Sequence, residues 1–151
     1  MTLPILNFHH IGIVTATVDS ARSELAILLR ITSESQVFSD HNLGVKVQFL
    51  YDEDGICYEI IAPLSQLSPV TTTLQSSQNI LNHLAYTTPN LDETVSKLRL
   101  MGYFPVGESK PALAFDGRRI QFLLTPLRFL IEIIESSREV GSVLKKFDTT
   151  C

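Results

Sequence analysis

Shifted against itself by 73 residues, this chain repeats its polar landmarks without a gap: His10 meets His83, Gln48 meets Gln121 and Glu59 meets Glu132. The words around them agree. VQFL at 47–50 matches IQFL at 120–123, YEII at 58–61 matches IEII at 131–134, and Asp19 and Leu25 fall on Asp92 and Leu98. Self-similarity at a fixed period constrains architecture before any local pattern does, because each copy is a unit that cannot bury its apolar face alone. Two copies are too few to stack into a solenoid. The repeat implies a closed pair of modules, with a site where they meet and one histidine and one glutamate from each.

The chain has 151 residues, 44% of them hydrophobic, which is enough for one proper core and favours a single structural domain. A net charge of −4 and a pI near 5.5 argue against nucleic acid and anionic membranes as partners, since neither attracts an acidic protein. A small-molecule partner is expected. The opening MTLPILNFHHIGIV has no basic region or cleavage pattern, and no apolar run reaches bilayer length, so a soluble cytoplasmic protein is expected. Cys57 and Cys151 are too few for a disulfide framework and are expected to be reduced.

The first module is expected over 6–64, a connecting segment with a short helix begun by Ser68-Pro69 over 65–79, the second module over 80–135, and a polar tail over 136–151. Strands are read at 8–14 and 81–87, each followed by an amphipathic helix, at 18–29 and 91–101. In the second helix Asn90 supplies the cap, Glu93 follows three residues on, and Gly102 supplies the left-handed stop. Further strands fall at 45–51, 56–61, 119–124 and 129–134, so each module is a strand, a helix and about three strands. The fold class is α+β: two βαβββ modules forming a cupped mixed sheet with helices on its outer face.

Neighbours on a strand point to opposite faces. His10, Gly12 and Val14 share one face, as do His83, Ala85 and Thr87, while Ile11, Ile13, Leu84 and Tyr86 turn toward the helices. Lys46, Gln48 and Leu50 oppose Val47, Phe49 and Tyr51, and Arg119, Gln121 and Leu123 oppose Ile120, Phe122 and Leu124. The polar set, Gln48 and Gln121 included, is expected on the concave surface. On the last strands Cys57, Glu59 and Ile61 share a side, as do Leu130, Glu132 and Ile134.

Glu59 and Glu132 each lie inside an aliphatic run, where a bare carboxylate carries a large desolvation cost unless something compensates it. A divalent cation would. Taken singly, each histidine and glutamate is better explained by core packing or solvent; taken together, His10, Glu59, His83 and Glu132 recur in register and on the same face. Two carboxylates and two imidazoles make an N2O2 set suited to Ni, Co, Mn, Fe or Zn, with positions left for water or substrate. His9 and His41 have no counterpart and receive no role. Cys57 reads as a small buried hydrophobe. Lys46, Arg118 and Arg119 are equally suited to an anionic substrate group or to solvent.

These residues resemble the vicinal oxygen chelate superfamily of glyoxalases, bleomycin-resistance proteins and dioxygenases, over about residues 6–135. The words HHIGI (9–13), EIIAPL (59–64), SPV (68–70), NHLAY (82–86), KPALAFDGRRIQFL (110–123) and LIEII (130–134) are most similar to methylmalonyl-CoA epimerase-like members. The resemblance implies metal ligation by His10, Glu59, His83 and Glu132, a homodimer, and a small-molecule substrate such as an acyl thioester. Bacterial glyoxalase I uses a similar ligand set. Epimerases of this type carry a glutamate base on the strand where this chain has Gln48, and an amide does not accept a proton near neutral pH. Gln48 is therefore the catalytic position that departs from the pattern. Glu132 or Glu59 is expected to act as base. The function implied is a metal-dependent lyase or isomerase; the alternative is a metal-free sequestering protein of the bleomycin-resistance type, and an extradiol dioxygenase fits less well because a fourth protein ligand would block one of its open positions.

Overall fold

A single open sheet carries both modules. The computed structural model describes residues 2–76 and 81–136. Its first module comprises β1 (Asn7–Val14), α1 (Val18–Leu28), β2 (Ile31–Glu34), β3 (Phe38–Asp40), β4 (Val45–Asp52) and β5 (Cys57–Pro63). After α2 (Pro69–Gln75) come β6 (Leu81–Thr88), α3 (Leu91–Leu100), β7 (Phe104–Ala112), β8 (Arg118–Leu124) and β9 (Leu130–Glu135). Strand order across the sheet is β2, β4, β5, β1, β6, β9, β8, β7, with β3 also paired to β4. The modules join within one chain, through antiparallel pairing of β1 with β6. Residues 137–151, most of the expected polar tail, lie outside the described residues.

The outermost strands are the ones that sequence alternation did not find. β2 and β3 pair with the two ends of β4, so they are one outer strand interrupted, and β7 is its counterpart beside β8. Their sequences are polar and β7 holds Pro105, Gly107 and Pro111, which is tolerated at an edge because one row of backbone groups faces solvent.

Both main helices cover one face. Thr17 and Asn90 cap α1 and α3 by accepting from the backbone N–H of Ser20 and Glu93, and Gly102 ends the second helix at φ 89°. Val18 and Ala21 of α1 pack on Leu50, Ile60 and Ala62, while Leu91 and Leu98 of α3 pack on Leu123, Ile131 and Ile133. Each buried valine, leucine or isoleucine among these contributes roughly 1.5–3 kcal/mol of burial. α2 lies on the other face, where Val70 and Leu74 meet Val14, Val45 and Val47 and close one end of the cup. Among the described residues no helix is long and apolar enough to cross a membrane.

The register corrects one part of the alternation. Gln48 is paired with Ile60, and Gln121 with Ile133, so both glutamines share the helix-covered face. Phe49 opposite Glu59 and Phe122 opposite Glu132 take the concave face instead. Assigning the polar set to the cup failed because edge segments and helices bury those glutamines from outside: Gln48 Nε2 donates to the Ser35 carbonyl, and Gln121 Nε2 donates to carbonyls of Val106, Gly107 and Phe122. Polarity alone does not reveal which face carries the second layer.

Candidate metal centre

Each of the four central strands contributes one side chain to a common point. Glu59 comes from β5, His10 from β1, His83 from β6 and Glu132 from β9. Across the sheet, Gly12 separates Glu59 from His83, and Ala85 separates His10 from Glu132. These two small residues are themselves related by the repeat. At Gly12 the requirement is steric, since a Cβ there would lie 2.1 Å from His83 Cε1. The imidazole of His83 thus lies directly over the backbone of the neighbouring strand.

The four ligand atoms all lie within 4.8 Å of one another, and all four residues are buried. His10 Nε2 is 3.0 Å from Glu59 Oε2, 3.3 Å from Glu132 Oε2 and 3.2 Å from His83 Nε2. His83 Nε2 is 3.3 Å and 3.5 Å from the same two oxygens. Bonds of about 2.1 Å to a shared cation give ligand-to-ligand edges of roughly 3.0 Å for an octahedral cis pair and roughly 3.4 Å for a tetrahedral one. The five distances above, 3.0 to 3.5 Å, cover that interval. Glu132 Oε2 makes no hydrogen bond of acceptable geometry despite its burial, leaving an orphan acceptor that a cation would satisfy. The donor set and its spacing fit a divalent transition metal.

Electrostatics agree with the geometry. Burial opposes charge on His10, but Glu59 and Glu132 overcome it and hold the imidazole up to about 10. His83 is raised by the same two carboxylates against the same burial. Burial pushes the Glu59 and Glu132 carboxyls toward neutrality, and the two imidazoles more than reverse this, so both are held below the usual range. The cluster demands positive charge, supplied by protons or by a metal.

Aromatic rings wall this charge. Phe49 meets the edge of His10 at 5.7 Å between centroids, Phe122 meets His83 at 5.1 Å, and Phe115 stacks on His10 at 6.1 Å. Phe115 arrives on a 3-10 turn, Leu113–Phe115, that is pinned to the first module. Asp40, buried at the end of β3, accepts from the backbone N–H of Asn42 and Leu43 with one oxygen and of Leu113 with the other.

The remaining sequence candidates are placed elsewhere. Gln48, on the helix side, is not brought to the cluster. Arg119 is spent in a clamp, donating to Asp92 and Glu135, and so ties the start of α3 to β9. Cys57 is buried on the cup side and burial pushes its thiol up to about 12, as befits an inert packing residue. His9, given no role above, lies with Nδ1 2.8 Å from His10 Nδ1; burial and then the charge of His10 lower it to about 4. The doubled histidine word was the sequence signal, and strict alternation pointed it away from the cup.

Solved proteins share this architecture. Methylmalonyl-CoA epimerase from Mycobacterium tuberculosis is similar at a TM-score of 0.73 and 23% identity, covering 89% of this chain and 91% of that one. A hypothetical protein from Bacillus halodurans C-125 is similar at 0.69 and 21% identity, over 91% of this chain and 99% of that one. A Streptomyces coelicolor methylmalonyl-CoA epimerase variant in complex with 2-nitronate-propionyl-CoA is similar at 0.64 and 20% identity, over 91% and 100% of the two chains. No curated protein matches the chain. At these identities the likeness is one of fold. The sequence profile of the glyoxalase/bleomycin resistance protein/dioxygenase superfamily matches residues 9–122, and the chain belongs to that superfamily.

Proposed function

We propose that this protein is a metal-dependent isomerase or lyase that moves a proton at a carbon next to a carbonyl, in the manner of an epimerase or a glyoxalase. One observation carries the reading: two imidazole nitrogens and two carboxylate oxygens, all from buried residues, converge at coordination spacing. His10, Glu59, His83 and Glu132 would hold the ion, of the Ni, Co, Mn, Fe or Zn group. Bound there, a divalent cation supplies Lewis acidity toward substrate oxygens.

The protein's own groups must then handle the proton. Gln48 faces the helices, Cys57 is held protonated by burial, and burial raises the Tyr51 phenol as well. Glu59 and Glu132 flank the two histidine strands, and either would serve as the base on leaving the ion. The phenylalanine wall excludes water from that exchange. A small substrate of acyl-thioester type suits the reading, given that similar folds are solved with 2-nitronate-propionyl-CoA and with methylmalonyl-CoA. A homodimer and a cytoplasmic setting belong to the same reading; light scattering on the purified protein tests the first.

Elemental analysis of untagged protein prepared without chelator tests the centre. Near-stoichiometric metal in the parent, lost in Glu59→Ala and Glu132→Ala, is expected. Solvent deuterium should enter substrate at the carbon beside the carbonyl when 2-methyl acyl thioesters and hemithioacetals are screened. No exchange across that panel removes the proton-transfer reading. The same aromatic lining would also serve the second reading, a metal-free protein that sequesters a ligand in the cup, and metal-free parent protein would select it.

A further inference from the structure

We infer that His9 and Asn82 are a matched pair of positioning residues, each carried on a β-bulge and each holding the neighbouring histidine with its Nε2 lone pair aimed at the centre. The inference rests on the metal reading above and specifies how that site is oriented. The two positions are equivalent under the 73-residue repeat.

Pairing between β1 and β6 slips twice. Phe8 opposes Tyr86 and His10 opposes Ala85, so His9 is the extra residue of one slip; Gly12 opposes His83 and Ile13 opposes Leu81, so Asn82 is the extra residue of the other. A bulge turns consecutive side chains toward one side of the sheet, which ordinary alternation forbids. Each extra residue thereby reaches the histidine that follows it. His9 Nδ1 stands 2.8 Å from His10 Nδ1, and Asn82 Oδ1 stands 3.0 Å from His83 Nδ1.

The hydrogen-bond roles follow from the inventory of donors. Asn82 Oδ1 only accepts, so His83 Nδ1 carries the hydrogen and His83 Nε2 is free to present a lone pair. Between the two histidines one Nδ1 must donate and the other accept. His10 needs its Nε2 lone pair for the centre, so His10 Nδ1 donates and His9 accepts. The His9 ring is held in that orientation edge-on to Phe49 and Phe115, at 6.4 Å and 5.6 Å between centroids. Histidine in one module and asparagine in the other thus do the same work, and a carboxamide at position 9 should serve.

The test uses full-length protein and cobalt(II) titrated against a competing chelator, with zinc(II) as a second probe. His9→Leu, which keeps bulk and removes the acceptor, is expected to weaken cobalt binding by about 10–100-fold. His9→Asn should bind within about threefold of the parent, because Asn82 already shows that geometry. Nitrogen-15 NMR supplies a readout independent of activity and of metal: a scalar coupling across the N–H···N bond, with the hydrogen on His10 Nδ1, is expected in the parent. Equal binding by His9→Leu and parent, a hydrogen resident on His9, or failure of His9→Asn to restore binding overturns the role of His9. A parent that takes up neither cation instead brings down the metal centre itself, and the role of His9 with it.

Discussion

Replacing Gly12 by alanine is the sharpest probe of the proposed centre, because the substitution adds one methyl group and replaces no ligand. The new Cβ would stand 2.1 Å from His83 Cε1 and 2.4 Å from both ring nitrogens. Ordinary contact begins near 3.4 Å, so the ring must retreat by about 1.3 Å. A coordination bond tolerates about 0.2 Å. His83 is therefore lost as a ligand while its chemistry remains intact. Gly12 is not among the glycines with positive φ, so alanine is compatible with the backbone and the chain should still fold. Cobalt affinity, read by chelator competition, is expected to fall by at least about 100-fold, beyond the loss of an outer hydrogen bond. The combined variant Gly12→Ala with His83→Ala supplies the control. With the ring gone there is room for the methyl group, so the double variant should bind cobalt no more weakly than His83→Ala alone, a strongly non-additive pair. Parent-like affinity in Gly12→Ala, or additive losses in the pair, would refute the steric reasoning.

In chelator-treated protein the cluster should make stability fall on both sides of a mild-acid optimum. His10 and His83 have folded pKa values raised above 6.5, so their contribution is complete below pH 6.5 and lost as pH climbs through about 10 for His10, at up to about 1.4 kcal/mol per pH unit for each proton. Glu59 and Glu132, held low, contribute above pH 4.5 and lose that contribution in acid; these are the same contacts seen from the other partner. Urea titrations across pH would show it, and a flat profile would contradict it. Asp40→Ala removes three accepted backbone hydrogen bonds and releases the turn carrying Phe115, so a loss of roughly 2 kcal/mol or more is expected in urea denaturation. Gln48→Met is expected to leave metal affinity unchanged and to cost about 1–2 kcal/mol of stability, since it deletes the Nε2 donor to the Ser35 carbonyl while removing an Oε1 that has no partner; a collapse of cobalt binding would return Gln48 to the site.

The repeat alone determined much of this protein. Because His10, Glu59, His83 and Glu132 recur in register, the two-module plan and the four candidate ligands were legible from spacing and alternation, and Asn90 and Gly102 marked a helix by their own local chemistry. Only the tertiary structure decided the rest. The polar edges β2, β3 and β7 are strands because β4 and β8 offer them hydrogen bonds, not because their own residues alternate. Gln48 turned away from the cup because the interrupted edge strand offers it the Ser35 carbonyl. His9 turned toward the cup because β1 and β6 slip by one residue where they meet. Periodicity reports what each strand prefers by itself; which face is covered, and where pairing slips, is settled only when distant segments compete for the same hydrogen bonds and the same buried space.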